Sequence, residues 1–468
     1  MHVRRWFALL VLLALVAGAC GRSDDEEESG AGAETTETTA EGGSGGDAAA
    51  GSFGDLEEVC GEGDASGATA QGVTDGEIVI GTFSDPGFAG RPGLNQELFD
   101  SAEVFAAWCN EAGGINGRQI KVNQRDAKLT EFKQRVIESC REDFMMVGGG
   151  AVFDDTGQEE RLSCLLPDIS GFVVSSKARG ADLLVQPVPN VLTGVAVGAL
   201  RYVAERFPDS VENVGYLTGN LPATVLVNDQ KVEAGEALEF NTVYNGQYNA
   251  AGESSWTPFA QQLQSNGVKG LLWTGEPENL AKLLQATADI GYEIDWVATD
   301  ANHLDQKLID TGGSAVRNVF VQGAVVPYTR AEENPATQQY LDLFEQYLPD
   351  GKAEAYLGFQ AFSAWLLFAT SAKECGAELT RRCVLDNAKA VTDWTGGGLH
   401  APTNPGSGEA AECGLITEGT AEGFVVPEDF ESNEGIFHCD PDNVFTLEGD
   451  YGRGVTLEDV GKTLDELE

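Results

Sequence analysis

The sequence predicts an α/β protein of two lobes, each a parallel sheet covered by helices, joined by a hinge. Three observations carry this expectation. From Glu77 to Val391, β-branched and aromatic runs alternate with segments of helical apolar period. The segments between strands are long enough to cross over a sheet, which makes neighbouring strands parallel with helices on both faces. The alternation breaks at Pro187-Val-Pro189 and then starts again, as it would where a chain leaves one sheet for another.

In order along the chain, Glu77–Phe83 (EIVIGTF) reads as the first strand. Leu94–Asn110 follows as a helix with Leu98, Ala102, Phe105, Ala106 and Cys109 at helical spacing. Its end, Glu111-Ala-Gly-Gly-Ile-Asn-Gly117, supplies glycines for the positive φ that a helix C-cap and a tight turn require. Gln119–Asn123 is the next strand, and Thr130–Cys140 a helix with Thr130 as N-cap. Phe144–Val147 and Asp168–Val174 read as strands around a helix at Thr156–Leu165. After the prolines come a helix at Val191–Phe207, strand Val211–Leu217, helix Ala223–Leu238, strand Phe240–Tyr248, helix Trp256–Asn266 and strand Gly270–Thr274. Helix Glu278–Ile290, strand Trp296–Thr299, helix His303–Thr311 and strand Asn318–Val325 complete this series. Val325–Pro327 offers a second crossing, followed by helices at Asn334–Tyr347, Ala355–Glu374 and Thr380–Val391. Asp393–Gly454, rich in Gly, Pro and acid, reads as an irregular tail stapled across the lobes or hinge.

The first residues follow different rules. Two arginines precede the apolar run Trp6–Ala19, which is shorter than the ~20 residues of a spanning helix and ends in small residues before Cys20. This has the form of a secretory signal, and the stretch ending in Cys20 resembles a bacterial lipobox. That resemblance implies cleavage before Cys20 and a diacylglycerol on its sulfur. Two or three acyl chains anchor stably where one does not. Asp24–Glu28 is a run of acids, and the Gly/Ala/Thr/Ser/Glu segment after it, with Phe53 as its single aromatic, cannot bury enough apolar surface to order itself.

With 29 basic and 75 acidic residues the net charge is −46, which excludes a basic nucleic-acid-binding face. Beyond Cys20 there are eight cysteines, an even count that suits a disulfide framework in an exported body. No pair has C-x-x-C spacing and the histidines are scattered, so no zinc site is expected. Gly148-Gly149-Gly150 follows a strand but fails the dinucleotide pattern at Phe153, and no Walker lysine, nucleophile elbow or H-E-x-x-H is present. No catalytic residue, cofactor or metal is expected.

GVTDGEIVIGTFSDPGFAG (72–90) with AEVFAAWCNEAGGINGRQIKV (102–122), and PENLAKLLQATADIGYEIDWVATD (277–300), resemble the leucine/isoleucine/valine-binding proteins among the type I solute-binding proteins of ABC importers. The likeness covers about residues 72–375. It implies two Rossmann-like lobes with three hinge crossings that close on a ligand. Residues 1–19 are then a lipoprotein signal peptide and 20–59 the lipidated cysteine with an acidic tether. Residues 60–188 with 326–392 form the N-terminal lobe, 189–325 the C-terminal lobe, and 393–468 the irregular disulfide-containing tail. Carried over position by position, Phe153 and Asp154 fall in the ligand loop Ala151–Asp155. Phe172 and Val174 fall in the strand end that binds through main-chain groups. Asp300 falls at the acid that holds a ligand's ammonium, and Tyr356 at a late first-lobe aromatic. The first-loop tyrosine of branched-chain binders has no counterpart in Phe88–Leu94, nor the second-lobe aromatic in Leu221–Thr224.

From the residues themselves, Asp300 has two readings. It faces the cleft and pairs an ammonium, or it caps the helix near His303. Trp273 reads as core. For the disulfides, Cys375–Cys383 brackets a helix–helix turn, Cys140–Cys164 ends consecutive helices, Cys413–Cys439 staples the tail, and Cys60–Cys109 remains; eight cysteines allow 105 pairings. The function expected is an extracytoplasmic lipoprotein on the cell membrane that captures an amino acid or related small polar ligand for an ABC permease. A sensor of the same fold and a cell-surface enzyme are the rival readings.

Overall fold

A computed structural model describes residues 51–468. The signal segment, Cys20 and the acidic run lie outside the described residues. The first sheet holds β1 (Glu77–Ser84), β2 (Gln119–Asp126), β3 (Met145–Val147), β4 (Asp168–Ile169) and β5 (Leu184–Val185) in the order β2-β1-β3-β4-β5, every pair parallel. After β6 (Gly194–Ala196), the second sheet takes β7 (Val214–Gly219), β8 (Thr242–Tyr248), β9 (Gly270–Thr274), β10 (Trp296–Thr299) and β11 (Val319–Gly323) as a parallel array ordered β11-β10-β9-β7-β8. Both series thus have the crossover pattern read from sequence, and β4, read as running to Val174, pairs over two residues only.

The helices are α1 (Gln96–Glu111), α2 (Phe132–Glu142), α3 (Gln158–Ser163), α4 (Gly198–Arg206), α5 (Pro222–Ala237), α6 (Thr257–Ser265), α7 (Pro277–Asp289), α8 (Gln306–Gly312), α9 (Pro335–Tyr347), α10 (Tyr356–Cys375) and α11 (Arg381–Ala390). The turn after α1 has φ of +113° at Gly113, +83° at Gly114 and +88° at Gly117, the left-handed geometry for which its glycines are suited. The cap expected at Thr130 does not form. Lys128 and Leu129 both have positive φ, Leu129 N–H donates to Asp85 Oδ1 at 2.6 Å, and the helix starts later, after Glu131. Asn334 and Thr380 do cap α9 and α11, accepting from Thr337 N and Cys383 N.

Between α1 and α10 lies an aromatic core. Phe105 stacks on Trp365 at 5.5 Å, and Phe362 meets Phe105 edge-on at 5.4 Å. Phe53 belongs to it as well: it is fully buried, 5.0 Å from the ring of Phe362 and 6.1 Å from that of Trp108. The expected tether to residue 59 therefore gives way to packed chain by Phe53, because its single aromatic side chain has a core to enter. The disulfides join Cys60–Cys109, Cys140–Cys164, Cys375–Cys383 and Cys413–Cys439.

The tail is more regular than expected. β12 (Cys413–Thr420) and β13 (Gly423–Val425) add antiparallel to β11 and extend the second sheet. β14 (His438–Cys439) pairs with β12, and β15 (Val444–Thr446) pairs with β6. An unpaired edge of β11 would expose backbone groups, and β12 satisfies them. The chain then returns to the first lobe: Asp182 N–H donates to Val455 O at 3.0 Å and Leu457 N–H to Asp182 Oδ2 at 2.7 Å.

Three strands of chain pass between the sheets side by side. Val325 bridges His400, and Thr403 Oγ1 donates to Pro187 O. His400 is fixed there by a directed chain of hydrogen bonds. Trp394 Nε1–H donates to Ser363 Oγ at 2.9 Å, Ser363 lies 2.8 Å from His400 Nε2, and Nδ1 lies 2.7 Å from Ala401 O. These partners fit a neutral ring protonated at Nδ1. Burial pushes the imidazole down to about 4. Since the unfolded ring titrates near 6.5, the stability held in this neutral state is complete above pH 6.5 and is lost as pH falls toward 4. Nitrogen-detected NMR at pH 5.5 is expected to show His400 neutral with its proton on Nδ1; a midpoint near 6.5 would refute the assignment.

Candidate functional site

The ends of both sheets face one cleft of about 590 Å³, within the range of small-molecule sites. This is where parallel sheets place ligands, at the carboxyl ends of the strands. Its walls are chiefly apolar, with Phe88, Val152 and Phe172 from the first lobe and Leu200, Leu221 and Val227 from the second. The charged side chains of the lining are Arg91, Arg179, Lys231, Glu276 and Asp300.

Asp300 follows β10 directly, and its side chain does not cap the following turn. That cap role falls to Asp305, which accepts from Lys307 N at 2.8 Å at the start of α8. Asp300 Oδ2 instead takes the ammonium of Lys231 at 2.7 Å. Lys231 comes from α5, is buried, and also donates to Trp273 O at 3.2 Å and Thr274 Oγ1 at 3.0 Å. Asp300, expected to hold a ligand's ammonium, is thus paired with a lysine of the protein itself. Beneath it, Trp273 is fully buried and stacks on Tyr248 at 4.6 Å. Gly275 has φ +153°, and a Cβ there would meet the Tyr248 hydroxyl, so the chain passes β9 and the cleft floor only as glycine.

Across the mouth, Arg91 from the loop after β1 pairs with Glu276 and, at 2.7 Å, with Glu278 at the start of α7. This two-carboxylate clamp joins the lobes. The paired acids hold the Arg91 guanidinium well above its ordinary value.

Four of the residues expected at the site, Phe172, Val174, Asp300 and Tyr356, line the cleft. Tyr356 also accepts from Ala324 N at 3.0 Å, tying α10 to a hinge crossing. Phe153 and Asp154 do not line it. Asp154 is buried, and its carboxylate accepts Val174 N–H at 2.9 Å and Ser175 N–H at 3.1 Å. It holds the loop that carries Phe172 and Val174, and burial raises it to about 6. Sequence reading missed Arg91, Lys231 and Arg179. Each lies in a loop or on a helix face with ordinary charged composition, and only the folded chain brings it to the cleft. Among the described residues no cluster of His, Cys, Asp and Glu with the makings of a metal site is found, and no helix is long and apolar enough to cross a membrane.

A family model described as periplasmic binding protein matches residues 191–423. No curated relative matches. Among solved structures, a fatty acid ABC transporter substrate-binding protein from Thermomonospora curvata is similar at 14% identity and a TM-score of 0.65, covering 80% of this chain and 97% of its own. A leucine binding protein from Thermotoga maritima is similar at 11% identity and 0.63, covering 78% and 99%. A possible leucine/isoleucine/valine-binding protein from Rhodopirellula baltica stands at 12% and 0.63, covering 78% and 98%. In fold, and by the family match over residues 191–423, the chain is similar to the type I periplasmic binding proteins.

Proposed function

We propose that the protein captures a small ligand in the cleft between its lobes and delivers it to an ABC permease from the extracytoplasmic face of the membrane, held there by lipid on Cys20. The observation that carries this reading is the cleft itself: chiefly apolar walls with charged and amide side chains set among them, bounded by two lobes that the Arg91 clamp joins. Groups from both lobes contact a ligand only when the lobes are together, so ligand stabilises the joined state by its differential affinity. The joined lobes would then present a surface to the permease that separated lobes lack. The names of similar proteins, binders of leucine or fatty acid, support capture and delivery in place of turnover. The pairing of Asp300 with Lys231 argues against recognition of an amino acid through its ammonium.

One experiment tests capture and anchor together. The full chain, expressed in its exporting host and extracted from membranes, is weighed intact under native and then denaturing conditions. The expected denatured mass starts at Cys20 with added diacylglycerol, and the native mass exceeds it by a releasable small molecule. An unprocessed chain would refute the anchor. Equal native and denatured masses, with no compound from a broad library raising the melting temperature, would refute capture.

A further inference from the structure

Among the described residues, Arg118, Arg125, Arg161 and Arg179 are the buried arginines, and three of them are filled. Arg118 donates to the carbonyls of Thr74, Gly67, Gly376 and Ala377. Arg125 forks onto Asp143 at 3.0 and 2.8 Å and reaches Glu142. Arg161 donates to Gln158 and to the carbonyls of Leu166, Leu183 and Asp182. These side chains fasten loops, and their planar forks are occupied.

Arg179 differs. It sits on the first lobe between β4 and β5, is 2% exposed, and forms part of the cleft wall. Its side chain has one protein partner among the described residues, Gln230 Oε1 on α5 at 3.0 Å from Nη1. Nε is buried and has no acceptor among the described residues. No carboxylate lies within 4 Å of it among the described residues. The nearby acids are engaged elsewhere: Asp154 holds Val174 and Ser175, and Asp300 holds Lys231. Burial lowers the guanidinium to about 10, which still leaves it charged at neutral pH. Asp154 and Asp300 act on it only from beyond ion-pair distance, and a buried cation without a direct partner is costly to a fold, more so when its donors are also unused. In a chain of net charge −46, acids to neutralise it are abundant, yet among the described residues none forms an ion pair with it, and the cleft carboxylates Glu276 and Asp300 pair with Arg91 and Lys231.

We infer that the cleft takes an organic acid: a carboxylate seated on Arg179, with an apolar body lying along Phe172, Val174, Leu221 and Val227. The inference rests on the cleft being the ligand site. A guanidinium presents parallel N–H donors that match a carboxylate's two oxygens. The apolar stretches of the wall suit an aliphatic or aromatic body, and the other charged side chains of the lining, Arg91, Lys231, Glu276 and Asp300, are already paired with one another. The Asp300–Lys231 pair makes the neighbouring wall neutral, so Asp300 does not repel the incoming acid. Arg179 reaches across to Gln230 on the other lobe, and Gln230 in turn donates to Leu192 O in a hinge crossing, so an acid seated there would touch the contact between lobes.

The test uses the full chain in detergent, with octanoate, 4-methylpentanoate and phenylacetate as probes, each set against its amide and its amine, with leucine and inorganic phosphate alongside. Isothermal titration and thermal shift are the readouts. At least one acid is expected to bind about tenfold or more tighter than its amide, with its amine not binding. Arg179→Gln is expected to weaken that acid by about tenfold to a hundredfold and leave the amide unchanged; Arg179→Lys restores part of the loss. The acid-over-amide comparison is made on the unaltered protein, so it stands even where a variant fails to fold. Binding of amides, amines, leucine or phosphate with every acid ignored overturns the inference and leaves capture in the cleft standing. Acids that bind Arg179→Gln undiminished also overturn it. Silence across the whole panel overturns the inference and counts against the cleft as a ligand site.

Discussion

Trp365→Ala is expected to lower the unfolding free energy by about 3–5 kcal/mol, the range for removing a large buried aromatic. Trp365 is fully buried on α10, stacked on Phe105 at 5.5 Å and edge-on to Phe368 at 5.9 Å. Its indole presses against the backbone at the end of β3. Gly148 there has φ +68°, and a Cβ added to it would lie 2.4 Å from Trp365 Nε1. With backbone on one side and a stacked ring on the other, little can move into the space the indole leaves, so the cavity term is large. The chain beyond Gly148 leads to Val152, a wall of the cleft whose N–H donates to Asp85 Oδ2 at 2.8 Å. The substitution should therefore loosen the first-lobe loop as well as the core and weaken ligand binding. Trp365→Phe separates volume from polarity. The indole N–H has no acceptor among the described residues, so phenylalanine removes an orphan donor, worth about 1–3 kcal/mol, while it gives up volume. Its net cost is expected near about 1 kcal/mol. Guanidinium unfolding midpoints at constant slope measure both. A loss below about 1 kcal/mol for Trp365→Ala would mean that α10 repacks, and that the indole does not set the floor under β3.

Much of the frame was legible because it depends on local periodicity. The β1 stretch, the Ala112-Gly-Gly-Ile-Asn-Gly117 turn and the apolar run of α10 each have a pattern that only one element satisfies. Boundaries slipped where tertiary partners decide. Thr130 looked like a cap, but the positive-φ turn at Lys128–Leu129, held by Asp85, delays the helix. β12 lies in a tail whose Gly, Pro and acid content reads as irregular, yet pairing with β11 outweighs propensity. The cleft was less legible than the sheets. Asp300 and Tyr356 lie at element ends, which sequence marks, and Phe172 and Val174 in the loop after β4, where the resemblance points to them. Asp154 also lies at an element end, and nothing in its neighbours tells a loop clamp from a ligand contact. Arg179 sits in Ser176-Lys-Ala-Arg-Gly180, which reads as ordinary solvated loop. Its burial comes from α5 on the other lobe, and no local pattern encodes that.

Asp300→Asn is expected to cost more stability than Lys231→Met, although each removes half of the same ion pair. The asymmetry follows from burial. The Lys231 side chain is 11% exposed and that of Asp300 34%. Without the carboxylate, the ammonium keeps Trp273 O and Thr274 Oγ1 but has no counter-charge in a largely dry place. Removing one partner of a buried pair costs about 3–5 kcal/mol, and partial access to water reduces this to about 2–4 kcal/mol here. Without the lysine, Asp300 turns to water, and the loss is expected to be about 1–2 kcal/mol. The double variant has neither charge to bury and should recover at least about 1 kcal/mol relative to the sum of the singles, a coupling that a double-mutant cycle measures directly. Equal losses that simply add would show that the two side chains do not act as a pair. The same proteins decide the role of Asp300. If its carboxylate held a ligand's ammonium, Asp300→Asn would abolish leucine binding with stability almost unchanged. If it serves to neutralise Lys231, stability falls and an organic acid on Arg179 loses affinity only to the extent that the cleft wall is disturbed. The pairing at 2.7 Å favours the second outcome, because a ligand's ammonium would have to displace a buried lysine that holds two further hydrogen bonds.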